Sequence, residues 1–204
     1  MNTDAPSPSA KRSDPRQQLL DSTIALMSRQ GSTGWTLRKL ASELGTSHRM
    51  LIYHFESLEG LLLAVTSSVE AAWRERVTAF PEDSPDPYAA AHQMWRALAH
   101  PDLAPNERLF FELYAAGLQG KAYAKPLTQS AVTDWLAPLT AAFSRLSGDA
   151  STASVDARLG LAVVRGLLLD LLATGDLEST TAAHARFLEL HGGHRPDSAT
   201  RDGK

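Results

Sequence analysis

The sequence contains no cysteine, which excludes disulfide bonds and thiolate chemistry. It also lacks an uninterrupted apolar run of the ~20 residues that a membrane-spanning helix needs. The most apolar stretch, residues 159–173, is interrupted by Arg165 and Asp170. The first residues have no apolar core of the kind found in a signal peptide. We therefore expect a cytoplasmic protein, because the lack of cysteine also fits a reducing compartment.

Motifs of common catalytic and cofactor sites are missing too. The sequence has no P-loop, no dinucleotide-binding GxGxxG and no GxSxG nucleophile motif. Seven histidines are present, and His191 and His194 flank two glycines near the end of the chain. His184 lies seven residues before His191, but a solvated tail explains the pair better than a metal site does, because it stands at a frayed chain end. We predict no enzymatic activity, no cofactor and no metal site.

Charge is distributed unevenly along the chain. The formal net charge is −3. Residues 1–55 nevertheless contain seven Lys or Arg against four Asp or Glu, a net +3, so residues 56–204 carry −6. A basic N-terminal part is typical of a protein whose contact with nucleic acid is local.

Residues 36–55 have the pattern of two short helices joined by a tight turn. The apolar residues of the first segment, LRKLASEL, recur at helical spacing and predict one buried face. Gly45 follows, where a helix end needs the left-handed conformation, and Ser47 is suited to cap the second helix. Leu51 and Phe55 are four apart and can pack on the first helix. This is the layout of a helix-turn-helix whose second helix enters the major groove.

The segment GSTGWTLRKLASELGTSHRMLIYHFESLEGLLLAV resembles the DNA-binding region of the TetR family of transcriptional regulators. The shared features are Thr36 opening the first helix, the turn 45–47, Leu51, the triplet 53–55, and a helix that reopens at Ser57. Their combined spacing is far more specific than a helix-turn-helix alone. The family pattern usually has an aromatic residue where this sequence has Ile52, and a lysine where it has Leu58. The phosphate contacts of those two family residues are therefore missing here.

The residues expected to contact DNA fall into two groups. Those expected to read bases, since arginine to guanine is the commonest specific contact, are Arg38, His48 and Arg49. Those expected to bind phosphates are Thr36, Ser47, Tyr53 and His54. Lys11, Arg12 and Arg16 are further phosphate candidates, although a solvated tail explains them equally well.

The periodicity along the rest of the chain predicts an all-α fold of about nine helices, without alternating β patterns. We predict four regions. They are a disordered arm at 1–13, a helix-turn-helix DNA-binding domain at 14–60, a helical effector-binding and dimerisation domain at 61–191, and a disordered tail at 192–204.

The resemblance implies an effector pocket in the C-terminal domain, for a small apolar or amphipathic molecule. The candidate residues are His92, Trp95, Phe111, Tyr114, Trp135 and Arg165. Any one aromatic among them is more readily explained as helical core. Arg165 lies between apolar neighbours, where an unpaired charge is costly. It is expected either to pair with Glu112 or Asp170, in an internal or intersubunit ion pair, or to meet an anionic effector.

The resemblance also implies a homodimer, in which the last two helices of each subunit form a four-helix interface. The expected interface residues are Leu161, Val164, Leu168, Leu172, Phe187 and Leu188. Two recognition helices related by a twofold axis then read a palindromic site with half-sites about one helical turn apart.

The function expected from these features is ligand-responsive transcriptional control, with repression as the favoured sign. Its partners are a double-stranded DNA operator, a second copy of the chain and an effector of unknown identity. Two alternatives stay open. One is a dimeric DNA-binding regulator without a small-molecule effector, and the other is a helical interaction protein or enzyme with a vestigial DNA-binding domain.

Overall fold

The computed structural model describes residues 14–78, 86–147 and 150–192. All regular structure in these ranges is helical, which confirms the all-α prediction. The α-helices of the described ranges are α1 (Pro15–Gln30), α2 (Leu37–Glu43), α3 (His48–Phe55), α4 (Leu58–Thr78), α5 (Pro87–Leu98), α6 (Ala104–Leu118), α7 (Lys125–Ser147), α8 (Ala153–Thr174) and α9 (Leu177–Gly192). Short 3-10 turns at Pro101–Leu103 and Ala122–Ala124 precede α6 and α7. The predicted arm at 1–13 and nearly all of the predicted tail lie outside the described residues.

Side-chain caps begin the first three helices. Asp14, Thr36 and Ser47 each accept a hydrogen bond from a backbone N–H two or three residues further on, at 3.0–3.2 Å. These bonds satisfy donors that have no partner inside the helix. Gly31 ends α1 with φ of 85°, and Gly45 turns the chain between α2 and α3 with φ of 63°. The predicted roles of Gly45 and Ser47 are confirmed.

The junction between α3 and α4 is unusually tight. Glu56 has φ 67° and ψ −44°, and the N–H of Ser57 donates to the carbonyl of Phe55 at 2.7 Å. This is a γ-turn, a strained conformation for a residue with a side chain. Ser57 then caps α4, as predicted, by accepting from the N–H of Gly60 at 3.0 Å. A Cβ at Gly60 would lie 2.2 Å from the Phe55 carbonyl oxygen, so only glycine fits there.

Helix α4 joins the N-terminal helices to the rest of the chain. Its first half packs on α1 and α3, and its second half packs on α6 and α7. Leu61 and Val65 in the first half are fully buried, and so is Trp73 near the other end. The predicted domain boundary at residue 60 falls inside this helix, and one hydrophobic core continues across it. No break in the hydrophobic core marks the predicted boundary. The division into a DNA-binding domain and an effector-binding domain therefore remains a prediction, based on expected function.

The C-terminal helices pack around α8, which contacts α6, α7 and α9. Gly160 of α8 lies against Phe143 of α7, so closely that a Cβ would approach the phenyl ring to 2.4 Å. This contact fixes which face of α8 points inward. Ala157 and Leu161 lie on that inward face and are buried with Gly160.

The inward face of α8 corrects the predicted dimer interface. Leu161 and Leu168, expected at the interface, are only 6% and 1% exposed because they pack inside the protomer. Leu188 of α9 is likewise 3% exposed. Val164, Leu172 and Phe187 are partly buried, and Phe187 meets the ring of Phe143 edge-on. Those three buried leucines cannot supply contact area to a second subunit.

A buried histidine joins α9 to α5. His184 is 1% exposed, stacks on Trp95 with ring centres 5.0 Å apart, and meets His92 edge-on at 5.7 Å. Its Nδ1 has no hydrogen-bond partner among the described residues. Burial, assisted by the neighbouring His92, lowers the pKa of His184 from 6.5 to about 4. The folded protein therefore holds this ring neutral at neutral pH.

We expect His184 to make the fold acid-sensitive. Between pH 6.5 and about 4, the unfolded chain binds a proton at this residue that the folded chain does not, so stability falls as pH falls through that window. His184→Phe keeps the aromatic stack and removes the titration. The measurement is Tm at pH 7.5, 6, 5 and 4.5 for the wild type, for this variant and for His48→Gln, which changes an exposed histidine. His184→Phe should lose less stability on acidification than either other protein; equal losses in all three would contradict the assignment.

Candidate DNA-binding surface and effector site

Helices α2 and α3 form a compact pair with one face free. Leu40 and Ala41 of α2 and Leu51 and Phe55 of α3 are buried, and the N–H of Thr46 donates to the Ala41 carbonyl at 3.0 Å across the turn. These contacts leave the first turn of α3 open to solvent. His48 and Arg49 are exposed there, and Tyr53, one turn further on, is 77% exposed. An exposed helix start with cationic, imidazole and phenol groups has the form that major-groove reading requires.

Six of the seven residues expected to contact DNA are exposed. They are Thr36, Arg38, Ser47, His48, Arg49 and Tyr53. His54 differs, because it is partly buried and its Nε2 is covered without a hydrogen-bond partner in the described structure. Its ring lies between those of Tyr53 and Phe55. In this conformation the His54 side chain packs within the protein rather than facing a phosphate.

Two further cations, Arg16 and Lys39, make contacts at the motif that the sequence pattern did not predict. The Nε of Arg16, on α1, donates to the His54 carbonyl at 3.3 Å, and its guanidinium lies 5.0 Å from the centre of the Phe55 ring. Arg16 therefore holds the C-terminal end of α3, where a helix has unpaired carbonyls and favours positive charge. Lys39 covers the ring of Trp35 at 4.5 Å. The Arg16 contacts link residues that only the fold brings together, whereas Lys39 and Trp35 are close neighbours in the chain.

The residues expected to line an effector pocket separate into two aromatic groups. His92 and Trp95 lie with His184 between α5 and α9. Phe111, Tyr114 and Trp135 belong instead to a cluster that includes Trp73 and Phe110, at the meeting of α4, α6 and α7. No ring contact among the described residues connects the groups, so the six candidates do not form one pocket wall.

Arg165 reaches the second group. Its Nη2 donates to the carbonyl of Ala131 on α7, and its guanidinium carbon lies 5.5 Å from the centre of the Tyr114 ring. The expected ion pairs with Glu112 and Asp170 are absent. Glu112 instead accepts a hydrogen bond from the N–H of Ser32 at 2.6 Å, and Asp170 is exposed to solvent. Both carboxylates are therefore directed away from the guanidinium.

A cleft of about 320 Å³ lies between the end of α5, the start of α6 and the end of α8. Leu98, Leu168 and Leu171 give it an apolar lining, and the buried Glu107 and the exposed Arg108 add charge. Its volume lies at the lower end of the ~300–1,000 Å³ found for small-molecule sites.

These features define a helix-turn-helix DNA-binding protein with a larger helical C-terminal part. Residues 19–65 match the model for bacterial regulatory proteins of the tetR family. This match covers most of α1, the helix-turn-helix and the start of α4, so the N-terminal part of the chain is similar to the tetR-family regulatory proteins. By sequence, no curated protein was found to match.

Solved structures of similar fold extend over most of the chain. A transcriptional regulator from Rhodococcus sp. Rha1 is 16% identical, with TM-score 0.74, covering 88% of this chain and 95% of that one. A TetR-family member from Streptomyces coelicolor A3 is 23% identical, with TM-score 0.66 and coverage of 85% and 98%. The multidrug binding protein EbrR, complexed with proflavin, is 25% identical, with TM-score 0.57 and coverage of 85% and 99%. The fold is therefore that of TetR-family regulators.

Two kinds of feature are absent from the described residues. No helix there has the length and apolar character needed to cross a membrane. No group of three or more His, Asp or Glu side chains in the same ranges is placed to hold a metal ion.

Arg49 provides a direct test of base reading. We expect Arg49→Ala to cost ~1–3 kcal/mol of binding to a specific operator and to change binding to random DNA little, because a base contact adds only to the specific complex. The measurement is fluorescence anisotropy with both DNAs at fixed salt. Arg29→Ala, which removes an exposed charge at the end of α1, is the matched control. An equal loss on specific and random DNA would remove Arg49 from base readout.

Proposed function

We propose that the protein is a ligand-responsive transcriptional regulator, most simply a repressor that a small molecule releases from a palindromic operator. The observation that carries this proposal is the exposed first turn of α3, held on a capped and buried helix-turn-helix scaffold. Action on chromosomal DNA agrees with the expected cytoplasmic location. The proposed base-reading residues remain Arg38, His48 and Arg49, and the proposed phosphate ligands are Thr36, Ser47 and Tyr53.

A second copy of the chain is the proposed partner for the outward face of α8. Six exposed apolar residues recur there every three or four positions. They are Val155, Leu159, Ala162, Gly166, Leu169 and Ala173. A Cβ at Gly166 would meet nothing within 4 Å, so the centre of this α8 stripe is open and lets another helix approach closely. A twofold axis through the stripe pairs two copies of one self-complementary surface.

Helix α6 supplies the proposed connection between effector and DNA. Glu112 accepts from the N–H of Ser32, in the loop that leads into α2, at 2.6 Å. Tyr114, two residues further along α6, contacts Arg165. Asn106 at the start of α6 also accepts from Ser28 of α1 at 3.2 Å. A shift of α6 on effector binding therefore moves the scaffold of the helix-turn-helix, and an effector that binds the shifted form better releases DNA.

Effector binding is supported by EbrR, whose solved complexes contain imidazole, proflavin and malachite green.

The second candidate function is that of a dimeric regulator without an effector. It is favoured by the packing of Trp73, Phe110 and Trp135 on one another, because these rings fill the interior that an effector would occupy.

The first experiment is binding of the purified protein to the DNA upstream of its own gene, at two salt concentrations and with random DNA as competitor. Competitor-resistant binding by a dimer supports the regulator and provides an operator for effector screening. If random DNA displaces the protein equally well, selection from a random-sequence library decides whether another operator exists. Failure to enrich any sequence would contradict the proposal.

Leu169→Glu tests the dimer surface. It places a carboxylate twice at a twofold interface, so we expect the dimer to weaken at least ~10-fold, which is about 1.4 kcal/mol, with operator affinity falling in parallel. The measurements are light scattering after gel filtration, and circular dichroism to verify folding. Leu118→Glu changes a leucine of α6 that is 69% exposed, and it should leave the dimer intact. A Leu169→Glu protein that remains as dimeric as this control would exclude the α8 stripe.

A further inference from the structure

Arg165 is a cation that the described part of the chain leaves without a counter-ion. It lies in the middle of α8, and burial lowers the pKa of its guanidinium, which nevertheless remains protonated because arginine is so basic. One nitrogen donates to the carbonyl of Ala131, while Nε is buried and has no acceptor among the described residues. A buried charge without an opposite charge destabilises the fold that holds it.

The nearby carboxylates of the described helices are engaged elsewhere. Glu112 accepts from the N–H of Ser32, while Glu70 and Asp134 both pair with Arg74 at the surface. No Asp or Glu within the described ranges forms an ion pair with Arg165. The aromatic partner, Tyr114, contributes a ring face and a side-chain hydrogen bond but no full negative charge.

Trp73 adds a second buried donor to the same aromatic cluster. Its indole Nε1 is covered and has no acceptor in the described structure. Trp73 stacks on Phe110 at 4.5 Å, and Phe110 stacks on Tyr114 at 6.1 Å, so the indole and the guanidinium flank one group of rings. The region therefore has a positive charge without an opposite charge and two buried N–H donors, Arg165 Nε and Trp73 Nε1, without acceptors among the described residues. A ligand that only accepts hydrogen bonds and carries negative charge complements it.

The cleft supplies space for the apolar part of such a ligand. Leu168, which lines the cleft, is one turn of α8 from Arg165. Glu107, also in its wall, is two turns of α6 from Tyr114, about 10 Å along the axis at 1.5 Å per residue. Helices α6 and α8 therefore border both the cleft and the guanidinium, at positions about two turns of α6 apart. The carboxylate of Glu107 disfavours a second negative group at the cleft end, so the apolar end of the ligand belongs there.

We propose that the effector is a small amphipathic anion, with a carboxylate or phosphate head bound by Arg165 and an apolar tail directed toward the cleft. This inference rests on the proposed function, because it names the ligand class of the effector site. Binding neutralises the buried charge and gives Nε its acceptor. It also acts on Tyr114 of α6, the helix that holds the helix-turn-helix loop through Glu112.

Four compounds that share one alkyl chain and differ in head group test, on the wild-type protein, whether the ligand must carry a negative charge. The probes are octanoate, octyl phosphate, octanol and octylammonium, each followed by its effect on Tm. We expect one or both anions to raise Tm by about 3–6 °C at ten times their Kd, and the alcohol and the amine to have little effect. The two anions distinguish a carboxylate site from a phosphate site. Equal stabilisation by octanol, or stabilisation by octylammonium alone, overturns the inference.

Variants then locate the response at Arg165. Arg165→Met retains much of the side-chain volume without the charge, so the anion response should be lost while Tm without ligand stays equal or rises. Arg96→Met, which removes an exposed arginine of α5, should keep the response. If Arg165 has only a structural role, through Ala131, Arg165→Met lowers Tm and leaves the anion response in place. Should this variant fail to fold, the wild-type series still decides.

Operator release separates this inference from the proposed function. If a cationic or neutral compound releases operator DNA and no anion does, the regulator stands and the anion inference fails. If the anions raise Tm through Arg165 but no sequence is bound specifically, the ligand site stands and the proposed function fails.

Discussion

The position of the recognition helix depends on a small amount of buried surface. Helix α3 spans two turns, and an isolated helix of that length is unstable in water. It is held by Leu51 and Phe55, by the cap at Ser47 and by Arg16 at its other end. The γ-turn at Glu56 and the close contact at Gly60 then place it directly against α4. Anything that moves α1 or α4 must therefore move α3, because α3 has almost no independent stability.

Because α3 moves with α1 and α4, C-terminal helices that pack on α1 and α4 can change the position of the DNA-binding surface. One face of α4 is buried along the helix, from Leu61 in the N-terminal core to Trp73 in the aromatic cluster. Helix α6 meets α1 and its following loop through Asn106 and Glu112. Two packed elements thus connect the cluster to the scaffold of α3. Packed cores tend to switch between discrete arrangements rather than deform gradually, so a local change at the cluster can be transmitted as a helix shift.

The helix-turn-helix could be predicted from sequence because its determinants are local. Capping residues, the glycine turn and the apolar spacing all act within a few residues of one another, and the structure bears out each of them. The face of α8 could not be predicted in this way. Its apolar residues surround the helix, so periodicity does not indicate which side is inward. The deciding contact, Gly160 against Phe143, joins residues of different helices.

Tertiary packing also decided which aromatic residues lie together and whether Arg165 is paired. Glu112 and Asp170 are plausible partners, since Glu112 belongs to α6, which packs on α8, and Asp170 belongs to α8 itself. The rotation of each helix directs Glu112 to the Ser32 N–H and Asp170 to solvent. The direction of a side chain depends on how its helix is rotated about its own axis. The sequence of the helix indicates that rotation only when one face is clearly polar.

Helix α8 combines two properties on neighbouring faces, since consecutive residues of an α-helix lie about 100° apart around its axis. Inward it presents a cation with an unpaired Nε to α6 and α7, and outward it presents an apolar stripe whose centre, at Gly166, directly follows Arg165 in the chain. A charge neutralised on the inner face changes how α8 packs on α6 and α7, and a rigid helix transmits that change to its outer face. In a twofold dimer formed through that stripe, the same adjustment occurs on both sides of the axis. The separation of the two recognition helices would then respond to ligand through the dimer contact as well as through α6.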